Sequence, residues 1–319
     1  MSVSQPSSVQ QSTGGPAVLE EVPGWFYNVD RVLFVWLLER QARLGTSGNL
    51  IEIGAYLGRS AILIADHLRP GESFTVCDLF DSAAPDEANS TEMDTSYRST
   101  LTREAFERNY LAFHQELPDI VQAPSSVLAD GRISARSARF IHIDASHLYE
   151  HVIGDIQFAR QALTDEGIVV LDDYRSEHTP GVSAAVWEAV LAMGLKPVTV
   201  SNQKFYGTWG DPAPLQDALA ADLAGHTGLT IHEERVRGLR LLRFRGGSGL
   251  NPPAFRPSRF YDPIAAEASA RAAAEQKGGK RRTEAQSKPA PSLRTRASRL
   301  AVDLLPPMAV RAIRRARHR

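Results

Sequence analysis

Residues 139–174 restrict the fold more than any other stretch, because they read as strand, helix, strand with carboxylates closing both strands. F-I-H-I-D, ending at Asp144, has the bulky β-favouring character of a buried parallel strand. Helical sequence runs from Tyr149 to Leu163, with Ile153, Ile156, Phe158 and Leu163 as its apolar surface. The turn T-D-E-G leads into a second strand, Ile168 to Leu171, which runs into Asp172-Asp173-Tyr174. One βαβ unit therefore sets Asp144 and the pair Asp172–Asp173 at the same edge of a parallel sheet. Open α/β sheets bind ligands at that edge. Carboxylates crowded there repel one another unless a cation or captured protons compensate.

The preceding sequence supplies a partner for that edge. Residues 49–53 form a short apolar strand, Gly54 to Gly58 a turn, and Ser60 to Leu68 a helix with an apolar face. Glycines at this junction allow a tight turn and close approach to a ligand, beside a helix N-terminus with unpaired N–H groups. The spacing G-A-Y-L-G matches neither G-x-G-x-x-G nor the Walker pattern, which weakens a phosphate reading. A second strand, Ser73 to Cys77, ends at Asp78, placed to accept hydrogen bonds from ribose hydroxyls.

The rest is read more coarsely. A helix is expected over Pro23–Leu44, covering an edge of the sheet, with Trp25, Phe26 and Tyr27 before it. Residues 79–100 read as a long acidic loop, Leu101–His114 as a helix and Asp119–Gln122 as a strand. Ser125 and Ser126 follow, where an adenine ring would pass. Gly181–Met193 reads as a helix, Pro197–Val200 and Lys204–Thr208 as a hairpin with one antiparallel strand, and Leu215–Leu223 as a further helix. Leu229–Phe244 is strand-like, and its place in the sheet is left open.

Charge divides the chain. Residues 246–319 carry 16 Lys/Arg against 5 Asp/Glu, whereas the first 245 residues carry 20 against 32. The expected organisation is a disordered segment 1–19, a catalytic domain 20–245, and a basic, largely disordered tail 246–319 with short helices. The tail suits contact with a membrane surface, nucleic acid or protein, and a solubilising role is the plain alternative. No apolar run approaches about 18 residues, and no leader-like sequence opens the chain, so a cytoplasmic protein is expected. The single cysteine, Cys77, lies in an apolar strand pattern and reads as core.

Taken together, I-E-I-G-A-Y-L-G-R-S, Asp78 after the second strand, and I-D-A-S-H with G-I-V-V-L-D-D-Y resemble class I S-adenosylmethionine-dependent methyltransferases. The likeness is to their small-molecule O-methyltransferases, the group that includes macrolide-sugar and cephalosporin-pathway enzymes. It spans about residues 30–210. The resemblance implies an α/β, Rossmann-like seven-stranded sheet of order 3-2-1-4-5-7-6, strand 7 antiparallel, flanked by helices. It implies cofactor contacts from Glu52, Gly54, Ala55, Gly58 and Ser60, with Asp78 on the ribose and Ser126 and Asp144 completing the site. Asp144, Asp172 and Asp173 match carboxylates that bind Mg²⁺ in metal-dependent members, and His147 falls where sugar-modifying relatives carry a general base.

The chemistry is consistent with that layout. Methyl transfer from a sulfonium needs an aligned acceptor oxygen and a route for its proton. Mg²⁺ favours hard oxygen ligands, and a hydroxylated small molecule with vicinal oxygens, such as a sugar or polyketide-type metabolite, would suit it. Exposed apolar residues on the N-terminal helix would suit a homodimer. Two other readings remain: an NAD-linked oxidoreductase, disfavoured by the glycine spacing, and a non-catalytic methyltransferase-like module that binds partners through its tail. Each acid also has a structural alternative as a helix cap or loop hydrogen-bonder.

Overall fold

The computed structural model describes residues 15–96 and 100–268. Nine strands form one sheet: β1 (Asn49–Ile53), β2 (Phe74–Asp78), β3 (Asp119–Gln122), β4 (Ala138–Ile143), β5 (Leu163–Leu171), β6 (Lys196–Val200), β7 (Phe205–Thr208), β8 (Leu229–Val236) and β9 (Leu239–Gly246). Their order is β3-β2-β1-β4-β5-β7-β6-β9-β8. The first seven positions are those expected, with β7 antiparallel to both β5 and β6. The region after Leu229 resolves as a hairpin that also extends the sheet, β9 lying parallel to β6 and β8 closing the edge.

Among the described residues seven helices accompany the sheet: α1 (Asn28–Leu44), α2 (Arg59–Ala65), α3 (Glu87–Ser96), α4 (Arg103–Phe113), α5 (Tyr149–Ala162), α6 (Pro180–Ala192) and α7 (Ala213–Asp222). Side chains of a strand alternate between faces, and here each face meets its own helices. Leu50, Phe74, Phe140 and Val170 pack with α1, α2 and α4, while Ile51, Ile141, Val169 and Leu171 pack with α5 and α6. Phe34 of α1 anchors the first layer edge-on against Phe140 and Tyr206, at ring-centroid distances of 5.2 and 6.1 Å.

Several expectations are corrected. α1 begins at Asn28 rather than Pro23 because the preceding segment is held extended. The Arg59 guanidinium donates to the carbonyls of Glu20, Val22 and Gly24 at 2.5–2.8 Å. Residues 79–100 are not all loop: Asp86 Oδ1 accepts from Asn89 N at 2.9 Å and opens α3. β5 begins at Leu163, five residues earlier than Ile168, after a register shift that pairs Leu163 with Ala138. α1 buries Val29, Val32, Leu33, Phe34, Leu37 and Leu38 against the sheet.

The chain divides into two compact units, residues 1–261 and 262–319. Within the first, the backbone beyond β9 continues as an extended strap, with Leu250 buried and Arg256 Nε 2.6 Å from Asp66. That packing carries the unit past Arg245. At its other end, Leu19, the last residue of the segment 1–19, is buried as the first residue of the 3₁₀ turn Leu19–Glu21. In the second unit the described residues form a short helical turn over 263–268, where Asp262 accepts from Ile264 N at 2.9 Å. Most of the basic tail, residues 269–319, and the N-terminal residues 1–14 lie outside the described residues.

Candidate active site

The glycine turn and the acid-bearing strand ends meet at one point. Gly54 has φ +81°, and a Cβ built on it would lie 2.1 Å from the Asp144 carbonyl oxygen. No side chain larger than hydrogen fits there, which brings the end of β1 against the end of β4. Gly58, at φ +94°, turns the chain into α2. Between them Ala55 is buried, and Tyr56 takes the left-handed conformation that non-glycine residues seldom adopt.

Asp78 holds this turn. Its Oδ2 accepts from the Ala55 and Tyr56 amides at 2.7 and 3.1 Å, and its Oδ1 from Phe80 N at 2.6 Å. Burial nonetheless pushes its carboxyl above the usual range. Asp78 is thus at the expected strand end, with three backbone donors already on its oxygens. Ser60 lies half-buried on the first turn of α2, and Ser126 is exposed in the 3₁₀ turn Ser125–Ala129.

Strand parity decides the position of Glu52. It alternates with Ile51 and Ile53, so it points into the α1 layer, where Oε1 lies 2.7 Å from His142 Nδ1. Glu52 and His142 are register partners across β1 and β4, and neither is exposed. Burial raises the Glu52 carboxyl to about 8 and keeps His142 well below its ordinary value, which disfavours the imidazolium. Glu52 is therefore beneath the glycine turn rather than on its surface.

The same parity brings Asp144 and Asp172 onto this face, and the antiparallel pairing of Leu171 with Phe205 brings Lys204 beside Asp172. Lys204 Nζ makes an ion pair with Asp172 Oδ2, lies 3.0 Å from His142 Nε2 and 3.8 Å from Asp144 Oδ2. Its side chain is 1% exposed. Burial works against the ammonium, yet Asp172 and Asp144 outweigh it and hold Lys204 protonated. Burial and the neighbouring Asp172 carboxylate push Asp144 well above the carboxylate range.

Asp173 faces elsewhere. At φ +52° its backbone reverses, and its Oδ2 lies 3.0 Å from His147 Nε2. Ser176 donates to its other oxygen. Against the cost of burial, these hydrogen bonds hold Asp173 down at about 2. His147, Asp144, Ser146 and Asp172 share a shallow hollow at the strand ends, floored by Ile143 and Leu171.

Neighbouring polar residues are accounted for. His151 bridges Ser146 Oγ at 3.0 Å and Asp86 Oδ2 at 2.9 Å, which ties α5 to the start of α3. Tyr174 packs on Trp187 and Phe205, and Arg175 reaches the Ser201 carbonyl at 3.4 Å. His178 is exposed, its ring 6.4 Å from that of His147. Cys77 is buried, its thiol pushed up to about 12, in keeping with a core role.

His142, Asp144 and Asp172 form a candidate divalent-cation cluster, each offering one ligand atom within 4.8 Å of the others. Carboxylate oxygens and a neutral imidazole are suitable donors for such an ion. Two of these donors, His142 Nε2 and Asp172 Oδ2, already contact Lys204 Nζ, and Asp144 Oδ2 lies 3.8 Å from it. Asp173, expected among the ligands, pairs with His147 through its Oδ2. Neither Lys204 nor His142 was among the site residues read from the sequence. The alternation along β1 and β4 carried a signal for His142, whereas Lys204 depends on a non-consecutive strand pairing.

Residues 51–174 match the family described as "Methyltransferase domain". No curated protein sequence matches the chain. Among solved structures, the O-methyltransferase NovP is 19% identical, with 57% of this chain and 79% of that chain covered and a TM-score of 0.45. The calicheamicin methyltransferase CalS11 is 18% identical, with 58% and 81% covered and a TM-score of 0.42. A putative O-methyltransferase from Klebsiella pneumoniae is 14% identical, with 60% and 84% covered and a TM-score of 0.42. Residues 51–174 thus match a methyltransferase domain, and the strand order β3-β2-β1-β4-β5-β7-β6 with a glycine turn at the β1 end is the one expected of the class I S-adenosylmethionine-dependent fold.

Proposed function

We propose that this methyltransferase is a small-molecule O-methyltransferase, acting on a hydroxyl of a sugar or polyketide-type metabolite with help from a divalent cation such as Mg²⁺. The observation that carries this reading is the His147–Asp173 pair at 3.0 Å, whose His147 lines one hollow with Asp144 and Asp172. A base held by a carboxylate beside hard oxygen donors suits deprotonation of a hydroxyl.

In this reading Gly54, Ala55 and Gly58 give the cofactor a close backbone surface, with Ser60, Ser126 and Asp144 around it. Asp78 fixes that surface and offers its remaining acceptor capacity to ribose hydroxyls. The bound cofactor supplies an electrophilic methyl group on a sulfonium. His147 takes the acceptor proton on its imidazole, and the Asp173 carboxylate compensates the resulting charge. A divalent cation at Asp144 and Asp172, with Asp173 nearby, would lower the pKa of an acceptor hydroxyl. Trp25 and Tyr27 are exposed in the segment before α1, and the Trp25 ring centroid lies 5.5 Å from that of Tyr56 on the glycine turn.

A cytoplasmic location and a homodimer belong to the same proposal. Among the described residues no helix is long and apolar enough to cross a membrane. A partner role for the basic tail, whether membrane surface, nucleic acid or protein, concerns mainly residues outside the described ones.

The test is calorimetric titration of S-adenosylhomocysteine into the full chain, followed by methyl-transfer assays on vicinal diols with and without chelator. Binding with transfer to an oxygen acceptor supports the reading. A folded chain that binds no S-adenosylhomocysteine, or transfers methyl to nitrogen or carbon acceptors alone, overturns it.

A further inference from the structure

The three atoms that could ligate a cation at this site are the three that surround Lys204. His142 Nε2 is 3.0 Å from Nζ, Asp144 Oδ2 is 3.8 Å away, and Asp172 Oδ2 is in direct contact. Lys204 is not a surface side chain that swings in by chance. It is 1% exposed, its Nζ stands 5.9 Å from the centre of the Phe26 ring, and its backbone is fixed on both sides. Lys204 N donates to Ser201 Oγ at 2.9 Å, and the Lys204 carbonyl accepts from Ser201 N at 2.9 Å. On the far side His142 is locked to Glu52 at 2.7 Å.

A divalent ion binds carboxylate oxygen and imidazole nitrogen at about 2.0–2.2 Å. Nζ already occupies the hydrogen-bonding direction of Asp172 Oδ2 and His142 Nε2. Two cations cannot share those atoms at contact distance, because their repulsion in a buried site is large. We propose that Lys204 is the resident cation of the acid cluster and competes with a divalent ion for Asp172 and His142, so that the lysine sets how tightly the ion is held. This rests on the proposed metal-assisted reading and adds to it the residue that tunes the metal. It also explains how three carboxylates stand together at one sheet edge. Lys204 answers Asp172, the His147 contact answers Asp173, and Asp144 remains as the oxygen from which an ion would enter.

The experiment is Mn²⁺ titration calorimetry on the full chain and on Lys204→Met, with thermal unfolding of both in chelator and in excess Mn²⁺. Loss of the competing charge is expected to tighten Mn²⁺ binding at least tenfold. It should also lower the variant's unfolding temperature in chelator and give a larger rise on adding Mn²⁺ than wild type shows. Lys204→Gln, which keeps a donor without the charge, carries the comparison if Lys204→Met does not fold. Mn²⁺ affinity equal to or weaker than wild type in a folded neutral variant overturns the proposal, as does a failure of wild type and variants alike to bind Mn²⁺. S-adenosylhomocysteine is titrated into the same samples. Its failure to bind folded wild type would count against the methyltransferase reading, while the Mn²⁺ comparison alone decides the role of Lys204.

Discussion

His147 Nε2 lies 3.0 Å from Asp173 Oδ2, and Asp173 reaches it only by adopting a left-handed backbone at φ +52°. A non-glycine residue in that region costs on the order of 1–3 kcal/mol, which surrounding structure must offset. Here Thr179 Oγ1 donates to the Asp173 carbonyl at 2.8 Å. If the pair serves as base and orienting carboxylate, His147→Ala should lower kcat by about 10²-fold or more. Asp173→Asn should lower kcat with little change in S-adenosylhomocysteine affinity. Steady-state methyl transfer with parallel calorimetry checks both, and an unchanged kcat in His147→Ala would remove it from the mechanism.

Asp78 is a staple before it is a ligand. Asp78→Ala removes the acceptor for three backbone amides at the glycine turn. A hydrogen bond to a charged group contributes about 1.5–3 kcal/mol, so a loss of at least tenfold in S-adenosylhomocysteine affinity is expected. Calorimetry reads this directly, and wild-type affinity in the variant would show that the turn holds its shape unaided.

Gly54→Ala addresses the junction between β1 and β4. The added methyl would sit 2.1 Å from the Asp144 carbonyl oxygen, on a residue whose φ is +81°. Both backbones would have to part, and at a positive φ the change destabilises by more than the ~1 kcal/mol that a compatible glycine-to-alanine replacement gains. Cofactor binding should fall together with thermal stability. A variant that keeps both would show that the junction yields more easily than its geometry implies.

At the opposite end of the sheet, Arg139 is buried without exposure and bonds Glu72 at 2.8 and 2.9 Å, Gln41 at 2.9 Å and the His67 carbonyl at 2.8 Å. Truncating one partner of a buried pair strands the other, so Arg139→Ala should destabilise by about 3–5 kcal/mol. Against burial, hydrogen bonds from Arg139 and Arg69 hold Glu72 down at about 2, from an ordinary value of 4.5. A depressed carboxyl contributes stability that is present above its unfolded pKa and lost as pH falls through its folded one. Unfolding midpoints should therefore drop between about pH 4.5 and 2, and Glu72→Gln should flatten that slope.

How much of this was legible follows from the range of the interactions. β1 at 49–53 and β3 at 119–122 match their expected limits to the residue, because apolar runs bounded by turn residues are local signals. The order of the first seven strands followed from a resemblance rather than from periodicity. Lys204, Tyr206 and Asp30 escaped notice, although Tyr206 donates to the buried Asp30 at 2.7 Å just behind the site. Their roles exist only once β7 inserts antiparallel beside β5, a pairing between segments some 35 residues apart in the chain. The burial of Glu52 was legible in its alternation with Ile51 and Ile53, which assigns it to the α1 layer. Asp172 and Asp173 were indistinguishable as letters, and the backbone reversal at Asp173 is what separates them.

The hairpin β8–β9 carries a final consequence for assembly. β8 is the outermost strand, and its successive exposed residues Glu233 and Glu234 point to opposite faces while Arg240 and Arg243 reach across to them at 2.9 and 3.2 Å. An incoming strand docking along this margin would meet charge above and below the sheet, the arrangement by which natural sheets deter edge-to-edge growth. Copies of this enzyme are thus steered away from joining their sheets into a continuous ribbon, and any pairing between them must be built helix to helix or loop to loop.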